Sequence, residues 1–265
     1  MICFPGCKIN IGLYITNKRA DGYHDLETVF YPVSLNDALE VVPASIAEIH
    51  MYGMEIQGSK HNNLVWKAYD LLKQKYAEIP ELDVHLIKNI PMGAGLGGGS
   101  ADGAFMLRLL NEYCQLGINK ETLIQYALQL GSDCPFFIEN IPQFATGRGE
   151  RLFPLQLDLS GYSIQLVCPE VHISTAAAFN MIRPKPASFD LRKLAEMPIE
   201  RWAEYVSNDF EEPIFIQHPE LADIKQRLYD SGALYAALSG SGSTIYGIFE
   251  KGRKADMAYH SEYIK

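Results

Sequence analysis

Residues 91–100 read Pro-Met-Gly-Ala-Gly-Leu-Gly-Gly-Gly-Ser, with five glycines between Gly93 and Gly99. An alternating run, Val84-His85-Leu86-Ile87, precedes them, and a helical run from Ala104 to Cys114 follows. A strand, a glycine loop and a helix start in that order make an anion cradle. Glycine lets the backbone approach a ligand closely, and the helix start presents N–H groups and a positive dipole end. Ser100 is expected at the helix N-cap. The simplest ligand is a polyphosphate. Other phosphate loops fit less well. Gly93-x-Gly95-x-x-Gly98 has the dinucleotide spacing, but the stretch after it stays helical where that fold needs a second strand ending in an acid. A Walker A loop needs a lysine before its serine, and none is present. A protein-kinase glycine loop joins two strands, whereas this one opens a helix.

Other residues have chemistry of their own. In residues 7–15, Ile9, Ile11, Leu13 and Ile15 share one strand face, and Lys8, Asn10 and Tyr14 share the other. The first face is core-like, and the second sets a lysine beside an asparagine on a rigid element. The turn Asp21-Gly22 leads into Tyr23-His24, residues that on their own read as turn surface. Asp133 follows the helix stop Gly131 and reads equally as an N-cap or a base. Ser239-Gly240-Ser241-Gly242-Ser243 is a second glycine loop.

The elements that must position these groups follow from pattern. Residues 26–33 and 38–42 are expected strands, with Ser34–Asp37 between them. Asn62 or Asn63 is expected to cap a helix running through Ala77, and Asn119 a helix stopped by Gly131. Residues 143–155 read as a hairpin, 163–168 as a strand, and Ser174 as the cap of a short helix ending at Phe179. Pro219 opens a further helix, and two strands, Leu234–Leu238 and Thr244–Phe249, close the chain before a short tail. A composition shift near Phe153–Ser160 marks the expected domain boundary, giving domains 1–155 and 156–265.

Composition bounds the function. The 265 residues carry a net charge of −9, which argues against nucleic acid or a membrane surface as partner. No run of 18 apolar residues is present. The N-terminus lacks a signal-peptide layout, and the five cysteines are scattered without a CxxC pair. A reduced, cytoplasmic enzyme fits. An acidic protein that binds polyphosphate must neutralise it locally, with backbone dipoles, a few cations and a metal ion.

The strand pair Lys8/Asn10, the central Pro91–Ser100 loop and the Ser-Gly-Ser-Gly loop, in this order, resemble the GHMP kinases, which phosphorylate small alcohols. The resemblance covers nearly the whole chain. Within the family, Arg19-Ala20-Asp21-Gly22-Tyr23-His24 and Gly131-Ser132-Asp133-Cys134-Pro135 are similar to the branch whose acceptor is a cytidine-diphosphate-linked polyol of isoprenoid precursor synthesis. Ala94 and Ala101 depart from the usual glycine and serine.

The resemblance implies a two-domain α/β (α+β) fold. Its N-terminal domain is ribosomal-protein-like and its C-terminal domain ferredoxin-like, with the active site between them. It implies ATP and Mg²⁺, with Lys8 and Asp133 as catalytic residues and Ser100 at the metal. It places the nucleotide on Pro91, Met92, Gly93, Ala94, Gly95, Leu96, Gly97, Gly98, Gly99, Ser100 and Ala101, with Asn63 and Lys88. It places the acceptor on Asn10, Tyr23, His24, Phe179, Gly240, Ser241 and Gly242. The alternatives are a kinase of another alcohol, of mevalonate or homoserine type, and a relative that binds nucleotide without turnover. The Lys8/Asp133 pair argues against the second and the Tyr23-His24 turn against the first.

Overall fold

The computed structural model describes residues 1–54, 60–257 and 261–264. In chain order the strands are β1 (Ile2–Cys3), β2 (Gly6–Lys18), β3 (His24–Asn36), β4 (Ala38–Pro43), β5 (Glu48–Gly53), β6 (Leu82–Lys88), β7 (Gln143–Thr146), β8 (Arg151–Pro154), β9 (Tyr162–Val167), β10 (Tyr235–Leu238), β11 (Ile245–Glu250) and β12 (Ser261–Ile264). The α-helices are α1 (Leu64–Lys73), α2 (Gly98–Tyr113), α3 (Lys120–Leu130), α4 (Phe136–Glu139), α5 (Thr175–Met181), α6 (Trp202–Tyr205), α7 (Glu211–Gln217) and α8 (Pro219–Asp230).

The chain divides into two units. The first takes residues 1–7, 35–92 and 97–141. Its sheet has the order β1-β4-β6-β5, with β4 antiparallel and β5 parallel to β6. A parallel pair needs a crossover, and the connection that carries α1 supplies it. In β6, Leu82, Val84 and Leu86 are buried while Asp83, His85 and Ile87 face outward, the period of two that a half-buried strand requires. The Asn63 side chain accepts the Val65 N–H and caps α1, a bond worth about 1 kcal/mol. Val65, Ala68, Tyr69 and Leu72 form the buried stripe of that helix. Gly103 lets α2 approach α1, since a Cβ there would lie 2.9 Å from the Leu64 Cβ.

The second unit takes residues 8–34, 93–96 and the chain from Pro142 onward. It holds two sheets, of order β2-β3-β7-β8 and β10-β11-β9-β12. In the second sheet β9 pairs antiparallel with both β11 and β12. Leu221, Ile224 and Leu228 of α8 fall on one helical face and join Phe210, Ile214, Leu238 and Phe249 in a shared core.

Several elements differ from those the sequence pattern predicts. Helix α2 starts at Gly98, so Ser100 lies within its first turn and Gly97 is the N-cap, at φ 70° and ψ 16°. Helix α1 stops at Lys73, where the Lys75 and Tyr76 N–H groups both turn back to the Leu72 carbonyl. Strand β3 runs on to Asn36. Strands β1, β5 and β12 were not expected, because each is short and takes its hydrogen bonds from a neighbour distant in sequence. Of the expected tail, residues 258–260 and 265 lie outside the described residues. Both faces of β2 are buried from Gly6 to Ile15, including Lys8, Asn10 and Tyr14.

Candidate active site

In the second unit, three separated motifs meet. The Lys8 side chain is 4% exposed, and a buried ammonium must be compensated. It donates to the Asn10 Oδ1 at 2.5 Å and to the Gly95 carbonyl at 3.0 Å, and lies 5.1 Å from the Phe30 ring centroid. Asn10 Nδ2 donates to Thr28 Oγ1 at 3.0 Å, and Thr28 in turn donates to the Gly12 carbonyl. The Asn10 backbone N–H donates to Ser239 Oγ, whose hydroxyl donates to the same Gly95 carbonyl at 2.9 Å. The Tyr246 hydroxyl holds the Asn10 carbonyl at 2.9 Å. Lys8 and Asn10, residues 93–96 and the loop at 239–243 therefore form one hydrogen-bonded assembly.

That assembly needs glycine at 95. Its φ is +79°, and a Cβ would collide with the Ser239 carbonyl. Gly240 stands in the same neighbourhood, where a Cβ would lie 3.3 Å from Asn10 Oδ1. The loop is closed by Gly242 N–H donating to Ser239 and by Thr244 N–H donating to the Ala94 carbonyl. Ser241 Oγ lies 3.3 Å from Thr175 Oγ1. Thr28 and Ser239 were missed by sequence reasoning. Only the serine-glycine pattern around Ser239 gave a signal.

The same unit carries an aromatic wall. His24 stacks on Phe179 with centroids 5.0 Å apart and planes at 21°, and Phe179 stands edge-on to Phe210. Burial, with the Lys18 charge, lowers the His24 pKa and favours the neutral ring. Tyr23 is exposed, with the Arg148 guanidinium 4.8 Å from its ring centroid.

In the first unit, the turn 97–100 opens α2, whose first N–H groups have no earlier carbonyl within the helix. Ser100 stands near the Cys134 thiol, which burial pushes up to about 12. The helix start therefore lies close to the turn that bears the half-buried Asp133.

Lys88 is fully buried, and its ammonium lies between Asp37 and Asp102. Asp37 also accepts the Asn89 and Ile90 N–H groups at 2.6 and 2.9 Å. This triad braces the chain on both sides of the glycine loop, before Pro91 and within α2. Burial pushes the Asp102 carboxyl up to about 8, against the Lys88 charge, and its Oδ1 has no hydrogen-bond partner among the described residues. Asn63 is engaged as the α1 cap, its amide reaching Met51 Sδ. Both Asn63 and Lys88 thus have side chains committed to the scaffold. No group of three or more His, Cys, Asp or Glu among the described residues is arranged to hold a metal ion.

Residues 63–140 match the GHMP kinases N terminal domain, and residues 191–261 match GHMP kinases C terminal. A protein of Bacteroides thetaiotaomicron named 4-diphosphocytidyl-2-C-methyl-D-erythritol kinase is 51% identical to this chain, over 94% of the chain and 92% of that protein. The chain belongs to the GHMP kinase family. A Porphyromonas gingivalis protein of the same name is 45% identical over 97% of the chain and 95% of its own length. A crystal structure of 4-(cytidine 5'-diphospho)-2C-methyl-D-erythritol kinase superposes with TM-score 0.79 at 32% identity, covering 94% of this chain and 90% of that one. The mevalonate kinase of Methanococcus jannaschii, at 13% identity and TM-score 0.70 over 100% of this chain and 98% of its own, shares the fold. The two-domain α/β fold that the family resemblance implies is the one observed. No helix among the described residues is long and apolar enough to cross a membrane.

Proposed function

We propose that this GHMP kinase transfers the γ-phosphoryl group of ATP to the 2-hydroxyl of 4-diphosphocytidyl-2-C-methyl-D-erythritol, a step of non-mevalonate isoprenoid precursor synthesis. The observation that carries the reading is the 51% identity, over 94% of the chain, to a protein of that name. The hydrogen-bonded assembly around Lys8 and Gly95 supports it, since phosphoryl transfer is mostly positioning and charge stabilisation. The reading takes residues 1–155 as the ATP-binding domain and 156–265 as the C-terminal domain, and a cytoplasmic setting.

In this reading the loop 91–101 holds the triphosphate through backbone N–H groups, supported by the positive end of α2. Asp133 removes the proton from the acceptor hydroxyl. That oxygen forms a bond to the γ-phosphorus, the bond from phosphorus to the β,γ-bridging oxygen breaks, and ADP leaves. Asp133 then returns its proton to water. Lys8, held by Asn10 and the Gly95 carbonyl, stabilises the charge on the moving phosphoryl group. Mg²⁺ binds substrate phosphates and water with few protein ligands. Ser100 would hold it, and it would supply neutralising charge to the phosphates. Tyr23, His24 and Phe179 receive the cytosine, with Gly240, Ser241 and Gly242 against the acceptor.

The test is ADP formation from ATP over a panel of alcohols. The cytidyl acceptor is expected to be turned over, and mevalonate and homoserine are expected to be poor. Equal use of all three would overturn the acceptor assignment while leaving the kinase.

A further inference from the structure

Tyr23 and His24 sit beside a second element that the family pattern did not single out. The turn between β7 and β8 runs Gly147-Arg148-Gly149-Glu150. It is hydrogen-bonded to the strand after His24, since the Leu26 N–H donates to the Gly147 carbonyl at 2.7 Å. The pairing continues into the sheet, with Thr28 opposite Ala145. The turn is also internally fixed. The Glu150 carboxylate accepts the Arg148 N–H at 2.5 Å, and Gly147 has φ +69°. Arg148 therefore has a determined place beside the aromatic wall.

Its guanidinium lies over the Tyr23 ring and forms neither an ion pair nor a hydrogen bond with any described residue. The neighbouring cation is different. Arg19 is paired with Asp21 at 2.8 Å and with Asp25 at 3.1 Å. Arg148 helps to hold the Asp21 carboxyl below its ordinary range, but only as the last of several influences, behind the Arg19 hydrogen bond. In a chain of net charge −9, a guanidinium beside a stacking wall, with no carboxylate partner among the described residues, is available to an anion.

We infer that Arg148 is a specificity residue that binds the diphosphate of a nucleoside-diphosphate-linked acceptor whose base stacks on the Tyr23, His24 and Phe179 wall. This rests on the acceptor reading given above. An acceptor of that class carries its diphosphate one ribose away from the base, within reach of an arginine side chain. A guanidinium also makes stronger hydrogen bonds to phosphate oxygens than it does to the face of an exposed tyrosine. The base and Arg148 both use Tyr23, so arrival of the base moves the guanidinium off the ring and onto the diphosphate. No bond is made or broken in this step.

Cytidine and CDP, as competitive inhibitors against the acceptor, separate the charge from the base. In Arg148→Gln the inhibition constant of CDP is expected to rise about tenfold, the scale of one charge-assisted hydrogen bond, and that of cytidine to stay within about twofold. The acceptor KM rises with CDP, while the KM for ATP holds. Arg148→Lys keeps the charge and recovers part of the CDP affinity. If Arg148 only props Tyr23, the cytidine and CDP constants shift together, and the inference is overturned. It is also overturned if neither shifts. If cytidine and CDP fail to inhibit the wild-type protein at all, the acceptor reading itself falls, and the inference with it.

Discussion

The Lys8 ammonium lies 3.0 Å from the Gly95 carbonyl, a partner 87 positions away in the chain. Ser239 donates to the same carbonyl at 2.9 Å. One backbone oxygen thus gathers a strand lysine, the glycine loop and the C-terminal loop. The position of that oxygen depends on a residue without a side chain.

Gly95→Ala is expected to disrupt this point. The left-handed backbone alone costs an L-residue about 1–2 kcal/mol, and the new Cβ collides with the Ser239 carbonyl. The variant should melt at a lower temperature and bind ATP at least tenfold more weakly, that factor being about 1.4 kcal/mol. Calorimetric titration with ATP beside thermal unfolding reads both. Wild-type affinity with an unchanged melting temperature would show that the loop has room to spare.

Asp133→Asn should fold and bind ATP, with kcat lowered roughly 10²–10⁴-fold, as removal of a general base commonly does. Lys8→Met should also lower kcat, by about 10²-fold, through loss of a fixed donor. Steady-state kinetics on both variants decide the matter, and near-wild-type turnover in Asp133→Asn rejects its role as base.

The buried Lys88 triad gives a pH signature. Asp102 has its folded pKa raised to about 8 from the ordinary 3.8, so between those values the folded chain holds a proton that the unfolded chain has released. Stability therefore falls as pH rises through that window and levels off above about 8. Asp102→Asn removes this titration and should flatten the melting temperature between pH 5 and pH 8. Parallel curves for the two proteins would contradict the assignment. Lys88→Met, which leaves Asp37 buried without its cation, should cost about 3–5 kcal/mol.

Tyr23→Ala and Phe179→Ala should raise the acceptor KM and leave the KM for ATP in place, with stacking worth roughly 1–3 kcal/mol per base. His24 already covers one face of Phe179, so the Phe179 change should also release the His24 ring. A rise in the ATP KM matching that of the acceptor would remove the wall from the acceptor site.

Local backbone chemistry was legible in the chain itself. Asn119 and Ser174 cap the helices expected of them, and of the pair Asn62 and Asn63 it is Asn63 that caps α1, because a cap bonds to N–H groups two or three positions ahead. The β7–β8 hairpin and the glycine loop were legible for the same reason, as turns set by neighbouring residues. The order of the motifs was enough to point to the family.

Tertiary structure alone decided the rest. The strand face of Lys8 and Asn10 reads as half-open by its alternation, but it is buried because Ser239, 229 positions from Asn10, closes over it. Ser100 has the type of a cap, yet Gly97 takes that place, since only a glycine settles readily at φ 70° there. Lys88 looks like any strand-end lysine until Asp37 and Asp102 arrive from other elements to accept its hydrogen bonds. His24 and Phe179, 155 positions apart by their numbers, meet face to face only once β3 and α5 are in place. A sequence specifies which groups its neighbours can hold, and contacts between distant groups exist only after the hydrophobic cores have set the elements against one another.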